Sequence, residues 1–269
     1  MYISDNDDQA AFSTYISYLA SFQQQQRGLK TPLSSDPGSG YIFAGVDENL
    51  YNCVFVANPT DDEAFINELI ELKATQNNLP LTVWTTINTT SHTIDDSLSK
   101  QFFSPGAFFG MVLDLEQANV KPVKPGITIE RVISPAQAEK FSELFCRNFN
   151  FKNMRQRMTE YMIYQGQIAE PDCLNYLARY EGEYVGTSSL MLDKQFNLFA
   201  TGGLYNACVD ENYRQLGVGY AMAAHRIQVA KELNLKKLSI ILMSDAMARG
   251  YCQRLGFKAI STFTPYIIE

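Results

Sequence analysis

The chain has 269 residues, 46% of them apolar, enough for real hydrophobic cores and for two domains. Its formal charge of −7 and pI near 5.0 argue against broad nucleic-acid binding, which needs a basic surface. Cys53, Cys146, Cys173, Cys208 and Cys252 show no C-x-x-C spacing, and the only histidines are His92 and His225, so no metal site is expected.

The pattern predicts a helix from Asp8 to Gln26, then a turn-rich loop from Thr31 to Gly40. A strand from Tyr51 to Ala57 leads through Asn58-Pro59-Thr60 into a helix from Asp61 to Gln76. Leu81 to Thr86 reads as a strand, a short helix starts near Asp95, and Ala107 to Leu115 is apolar and strand-like. Trp84 and the cluster Phe102, Phe103, Phe108 and Phe109 are expected in the core. Two prolines and a glycine in the stretch from Asn119 to Gly126 mark a boundary. It divides an N-terminal α/β domain, 1–120, from a second domain, 127–269, with 121–126 as linker. Residues 1–126 hold six Lys and Arg against 15 Asp and Glu, while residues 127–269 hold 16 against 14. A mildly basic half suits a phosphate-rich ligand and an acidic half a cationic one; solubility alone is the plainer reading.

In the second half, Ile127 to Ile133 alternates like a strand, and Ser134-Pro135 opens a helix that runs to about Phe149. Asn153 to about Gln165 is a second, amphipathic helix. Leu174 to Tyr180 and Tyr184 to Leu192 are strands around the turn Glu181-Gly182-Glu183, and Ala200 to Val209 is another. A helix from Tyr220 to Leu233 and a buried strand from Leu238 to Met243 follow. Neither an apolar run long enough to span a membrane nor a signal-peptide pattern occurs, so a soluble, cytoplasmic protein is expected.

Between the strand ending at Val209 and the next helix lies Arg214-Gln215-Leu216-Gly217-Val218-Gly219. A strand, a glycine turn and a helix N-terminus form an anion site: unpaired amides and the positive end of the helix dipole converge there. The glycines remove Cβ atoms that would hold a phosphate away, and Arg214 can add a forked contact. A dinucleotide fingerprint needs a glycine where Met222 stands, and a P-loop needs G-K-[ST] where Tyr220 and Ala221 stand, so both fail on spacing. The segment instead resembles the pyrophosphate loop of the GNAT N-acetyltransferase superfamily, [QR]-x-x-G-x-[GA]. The stretch from Ser244 to Phe257 resembles that superfamily's last signature: a polar cap, a short helix carrying Tyr251, and Leu255-Gly256-Phe257.

The resemblance covers roughly the last 140 residues. It implies an α/β fold with a mixed, mostly antiparallel twisted sheet flanked by helices. The α/β alternation of the first half, ending in Gly110 to Leu115, resembles the degenerate, GNAT-like N-terminal half of two-domain members, and without an R-x-x-G-x-G it is expected to hold no coenzyme; an unrelated α/β cap is the other reading. The resemblance of the second half further implies acetyl-CoA as co-substrate, no metal, and direct transfer of the acetyl group to a primary amine in a ternary complex. The diphosphate would lie on the amides from Gln215 to Ala221, that is Gln215, Leu216, Gly217, Val218, Gly219, Tyr220 and Ala221, with Arg214. The pantetheine arm would pair with the strand edge near Cys208 and Val209, where an amide would polarise the thioester carbonyl. Ser244 would bond the pantetheine or cap its helix. Tyr251 is the candidate general acid for the leaving thiolate. From Lys194 to Val209 there is no Asp or Glu, so the usual strand base is missing; Asp210, Glu211 or Glu269 acting through water, or an acceptor arriving as free amine, stay open. His225 falls on a packing face, and Cys208 has no histidine beside it in sequence to make it a nucleophile. The readings from other classes are a non-catalytic acyl-CoA-binding module and a protein-interaction module on the same scaffold. The acceptor (small-molecule, peptide or protein amine) and the oligomeric state have no sequence code here; no nucleic acid or membrane partner is expected.

Overall fold

A computed structural model of the chain describes residues 14–22, 31–36, 38–86, 92–192, 200–242 and 246–269. Residues 14–21 are helical (α1), within the helix expected from Asp8 to Gln26, whose flanks lie outside the described residues. The first half continues with β1 (Thr31–Pro32), β2 (Gly40–Phe43), β3 (Asn52–Phe55), α2 (Asp62–Thr75), β4 (Leu81–Thr86), α3 (His92–Gln101) and β5 (Phe108–Asp114). The second half comprises β6 (Ile127–Arg131), α4 (Pro135–Phe149), α5 (Arg155–Gln167), β7 (Cys173–Tyr180), β8 (Glu183–Leu192) and β9 (Thr201–Val209). It ends with α6 (Val218–Glu232), β10 (Lys237–Leu242), α7 (Ala246–Leu255) and β11 (Lys258–Ile268).

Local chemistry explains the element ends. Ser134 Oγ accepts from the Gln137 amide while the Gln137 side chain accepts from the Ser134 amide, a capping box ahead of Pro135. At the other end of α4, Asn150 adopts φ 58°, the left-handed stop that Asn tolerates. The loop expected from Thr31 to Gly40 is a correction: Thr31–Pro32 forms β1, and Gly40 begins β2. β1 and β2 are too short for alternation to outweigh the Gly, Pro and Ser around them.

One mixed sheet holds all eleven strands, in the order β1-β2-β3-β4-β11-β5-β10-β9-β8-β7-β6. Among the described residues, only β3 with β4 and β9 with β10 run parallel. The order is symmetric about its centre. Outward from β11 come β4 (antiparallel), β3 (parallel to β4) and β2; outward from β5 come β10 (antiparallel), β9 (parallel to β10) and β8. The successions β2-β3-α2-β4-α3-β5 and β8-β9-α6-β10-α7-β11 are the same motif twice. Each motif's last strand lies beside the other motif's parallel pair, and the two last strands pair antiparallel with each other. Segment 121–126 therefore joins two halves whose strands interleave.

Alternation along the strands sorts the core into two faces. Trp84, Phe108, Tyr205 and Phe263 join α1, α4 and α5 on one face. On the other, Met111, Leu113 and Leu204 meet α6 and α7, and Val83, Tyr266 and Ile268 meet α2 and α3. Trp84 and Phe108 are buried, as expected, and Phe102 is partly so. Phe103 corrects the expectation, being 66% exposed: it contributes a backbone bridge to Ile267 and turns its ring outward. Among the described residues, no helix is long and apolar enough to cross a membrane.

Candidate functional site

β9 and β10 pair only through Thr201, Gly202 and Gly203 with Lys237, Leu238 and Ser239. Beyond Gly203 and Ser239 the two strands part. On its other side β9 carries a bulge: Thr187 stands opposite Cys208 and Ser189 opposite Tyr205, so two steps on β8 match three on β9. Asn206 sits in the bulge at φ 54°. Its carbonyl accepts from Thr187 Oγ1 (2.8 Å), its amide group donates to Ser189 Oγ (3.0 Å), and its Oδ1 accepts from Tyr18 of α1 (2.7 Å). Ser189 Oγ in turn donates to Asn175 Oδ1 at 2.6 Å. This buried network, which the sequence reading missed, fixes the bend where the strands separate. The signal was present: Asn is a poor strand former and a tolerant left-handed one, set in Leu204-Tyr205-Asn206-Ala207-Cys208.

The glycine loop follows directly. Gln215 (φ 66°) and Gly217 (φ 96°) take left-handed conformations, and Gly217 is the N-cap of α6. The Ala221 amide closes the first helical turn on the Gly217 carbonyl at 2.9 Å. Ala221 is thus already engaged, and the amides of Val218, Gly219 and Tyr220 precede the first such bond, the open donors of a helix N-terminus. A Cβ built on Gly219 would meet only Val209 Cγ2, at 3.7 Å, so the loop is unobstructed there. Leu216 is half-buried against Val218, while Arg214 and Gln215 are exposed. Arg214 Nε donates to the Val209 carbonyl at 3.2 Å, holding the guanidinium beside the strand end. The linker also reaches this loop: the Tyr220 hydroxyl hydrogen-bonds the backbone of Lys121, and the Lys124 stem lies over Gly217.

Tyr251 of α7 donates its hydroxyl hydrogen to the Gly219 carbonyl at 2.8 Å. Burial pushes this phenol well above its ordinary pKa, with the Arg226 cation pulling the other way. Arg226, unremarked in the sequence, is buried on α6 and donates to the Ser189 (3.0 Å) and Met222 (3.2 Å) carbonyls; burial lowers it to about 10, so it stays cationic at neutral pH. Cys208 is half-buried, 3.1 Å from Thr187 Oγ1, and burial raises its thiol above the ordinary value. His225 packs edge-on against Tyr176 and is held below the usual histidine range by partial burial and Arg226. Asp210 is paired with Arg147 and caps the turn at Asn212, and Glu211 is exposed. Ser244 lies outside the described residues. Among those described, no group of three or more His, Cys, Asp or Glu is placed to hold a metal ion.

In the first motif the position matching the glycine loop is built differently. Asp61 caps α2 by accepting from the Ala64 amide (3.0 Å), and Asp62 and Glu63 fill the first turn. Carboxylates stand there where α6 presents open amides.

A cavity of about 440 Å³ occupies the parting of β9 and β10 on the face of α1 and α4, opposite α6. Tyr205 to Ala207 and Ile240 to Leu242 form one side, and Tyr15, Tyr18, Trp84 and Phe108 bring the N-terminal half into its wall. Trp84 and Phe108 are therefore both core and cavity wall.

Comparison with known proteins places this geometry. Residues 138–257 match the sequence model of the Acetyltransferase (GNAT) family. A GCN5-related N-acetyltransferase from Kribbella flavida superposes with TM-score 0.66 at 14% identity, over 93% of this chain and 94% of that one. One from Sphaerobacter thermophilus gives 0.63 at 12% identity, over 98% and 93%. The glucosamine N-acetyltransferase region of a fungal multi-domain GH3 β-N-acetylglucosaminidase gives 0.59 at 14%, over 98% of this chain and 37% of that one. These likenesses show a shared fold through both halves. Over residues 138–257, this chain carries a domain of the acetyltransferase (GNAT) family.

Proposed function

We propose that the protein transfers the acetyl group of acetyl-CoA to a primary amine by direct attack, with both substrates bound. The observation that carries this reading is the parting of β9 from β10 just ahead of a helix N-terminus that is open at Gly219. Beyond Gly203 β9 has parted from β10, and that edge suits an extended, amide-bearing arm lying alongside as an added strand would. The amides of Val218, Gly219 and Tyr220, flanked by Arg214, suit the diphosphate at one end of that arm. An amide near Cys208 suits the thioester oxygen. With Asp61 in the matching place, the first motif takes no second coenzyme.

In the reaction the amine nitrogen forms a bond to the thioester carbon, the C–S bond breaks, one proton leaves nitrogen, and one is delivered to sulfur. Tyr251 is the proton donor in this reading. Burial keeps its proton on at neutral pH, and Arg226 stabilises negative charge that develops as the proton leaves. One observation favours the non-catalytic alternative: the Tyr251 hydroxyl is committed to the Gly219 carbonyl. Tyr251→Phe separates the two. In a free-thiol release assay the acid role predicts a fall in kcat of about 100-fold or more, with acetyl-CoA affinity changed little. An unchanged kcat removes the role.

A further inference from the structure

The cavity at the strand parting has an unusual lining for an amine site. None of its described lining residues carries a charge. The hydroxyl, indole and amide groups of its side chains are already engaged with the protein. Tyr15 donates to the Leu50 carbonyl (2.7 Å), Tyr18 to Asn206 (2.7 Å), and Trp84 Nε1 to Cys53 Sγ (3.3 Å). The Tyr51 hydroxyl meets that of Tyr18 (3.2 Å), and the Tyr205 hydroxyl meets Thr14 (2.9 Å). What the side chains leave for a ligand is ring face and aliphatic edge, beside the strand backbone of the parting, in a volume within the range of small-molecule sites.

Resting on the acetyl-transfer reading of this cleft, we propose that the acceptor is an amine on a single aromatic or bulky apolar body, with no second charge. A second ammonium, as in a polyamine or aminoglycoside, would be stripped of water with no carboxylate among the described lining residues to meet it, and a free amino acid's carboxylate would find no cation among them. A sugar's hydroxyls would meet polar groups that already have partners. One amine is accommodated: the ring faces attract it while charged, and the apolar surroundings favour its neutral, nucleophilic form. This answers the missing base on β9, because the wall itself disfavours the proton that a base would have to remove.

Trp84 is the only tryptophan in the chain, so its fluorescence reports occupancy without turnover. The test titrates 2-phenylethylamine, spermidine and glucosamine into the full chain with and without acetyl-CoA, then measures thiol release with each. The expected result is a saturable change in Trp84 emission with phenylethylamine, and a kcat/KM at least about tenfold above the other two. Phe149 lines the cavity at the exposed end of α4 and is 41% exposed, so the fold tolerates Phe149→Asp. That charge should lower kcat/KM for phenylethylamine and raise it for spermidine. Spermidine or glucosamine matching phenylethylamine in both readouts overturns the proposal, as does phenylethylamine failing to move Trp84. If acetyl-CoA itself does not bind, the transfer reading fails, while the titrations still judge the chemistry of the cavity.

Discussion

Cys208 shows how a side chain is kept out of the chemistry around it. It stands on the bulged strand, where a thioester would lie, yet burial raises its thiol pKa and so keeps it protonated, the weaker nucleophile. Cys208→Ser should leave kcat within about twofold of wild type, and two-substrate initial-rate plots should intersect. Parallel lines, with activity lost in the serine variant, would make Cys208 an acyl carrier. At this scale the form of the loop was legible: glycine spacing predicted a turn opening a helix, and Gly217 is the left-handed N-cap of α6. Arg226 was not, because one arginine in an otherwise apolar stretch of helix has no pattern that distinguishes a buried cation from a surface one. The helix start is corrected: α6 begins at Val218, two residues earlier than the expected Tyr220, so the Ala221 amide already closes the first turn.

Among the elements, β9 does the most to make the site. Its bulge leaves one residue unpaired, and Asn206 supplies both the left-handed backbone and the buried network that holds it. The two contributions are separable. Asn206→Gly keeps the backbone freedom and loses the network, which should cost about 1–3 kcal/mol in denaturant unfolding. Asn206→Ala loses both and should cost about 1 kcal/mol more. Equal costs would mean that the backbone conformation carries no strain. Strand boundaries were readable from the hairpin turn Glu181-Gly182-Glu183 for β7 and β8, and the α4 start from Ser134-Pro135. The bulge was not readable, because one extra residue changes register without changing composition.

For the whole molecule, the exchange of β5 and β11 is the governing feature. β11 lies between β4 and β5, and β5 between β11 and β10, so neither half completes its sheet alone. Residues 127–269 expressed alone should leave β11 without either neighbour, bare one edge of β10, and aggregate, whereas the intact chain should unfold in one cooperative transition followed by circular dichroism. A monomeric, folded fragment would show that the halves are independent. The prolines and glycine of 119–126 marked a real change in sequence, but interleaving is set by pairing between residues more than 100 apart, beyond the reach of local pattern. The cavity at the strand parting was hidden for the same reason, since its walls come from both halves. The most direct test of the account is calorimetric titration of acetyl-CoA into the intact protein and into Gly219→Glu. That position is open, and a carboxylate in the first turn of α6 favours the helix by about 0.3–1 kcal/mol, so the variant stays folded. The account predicts micromolar binding to wild type, about 8 kcal/mol, and none to the variant. Equal binding to both, or no binding to the folded wild type, would contradict it.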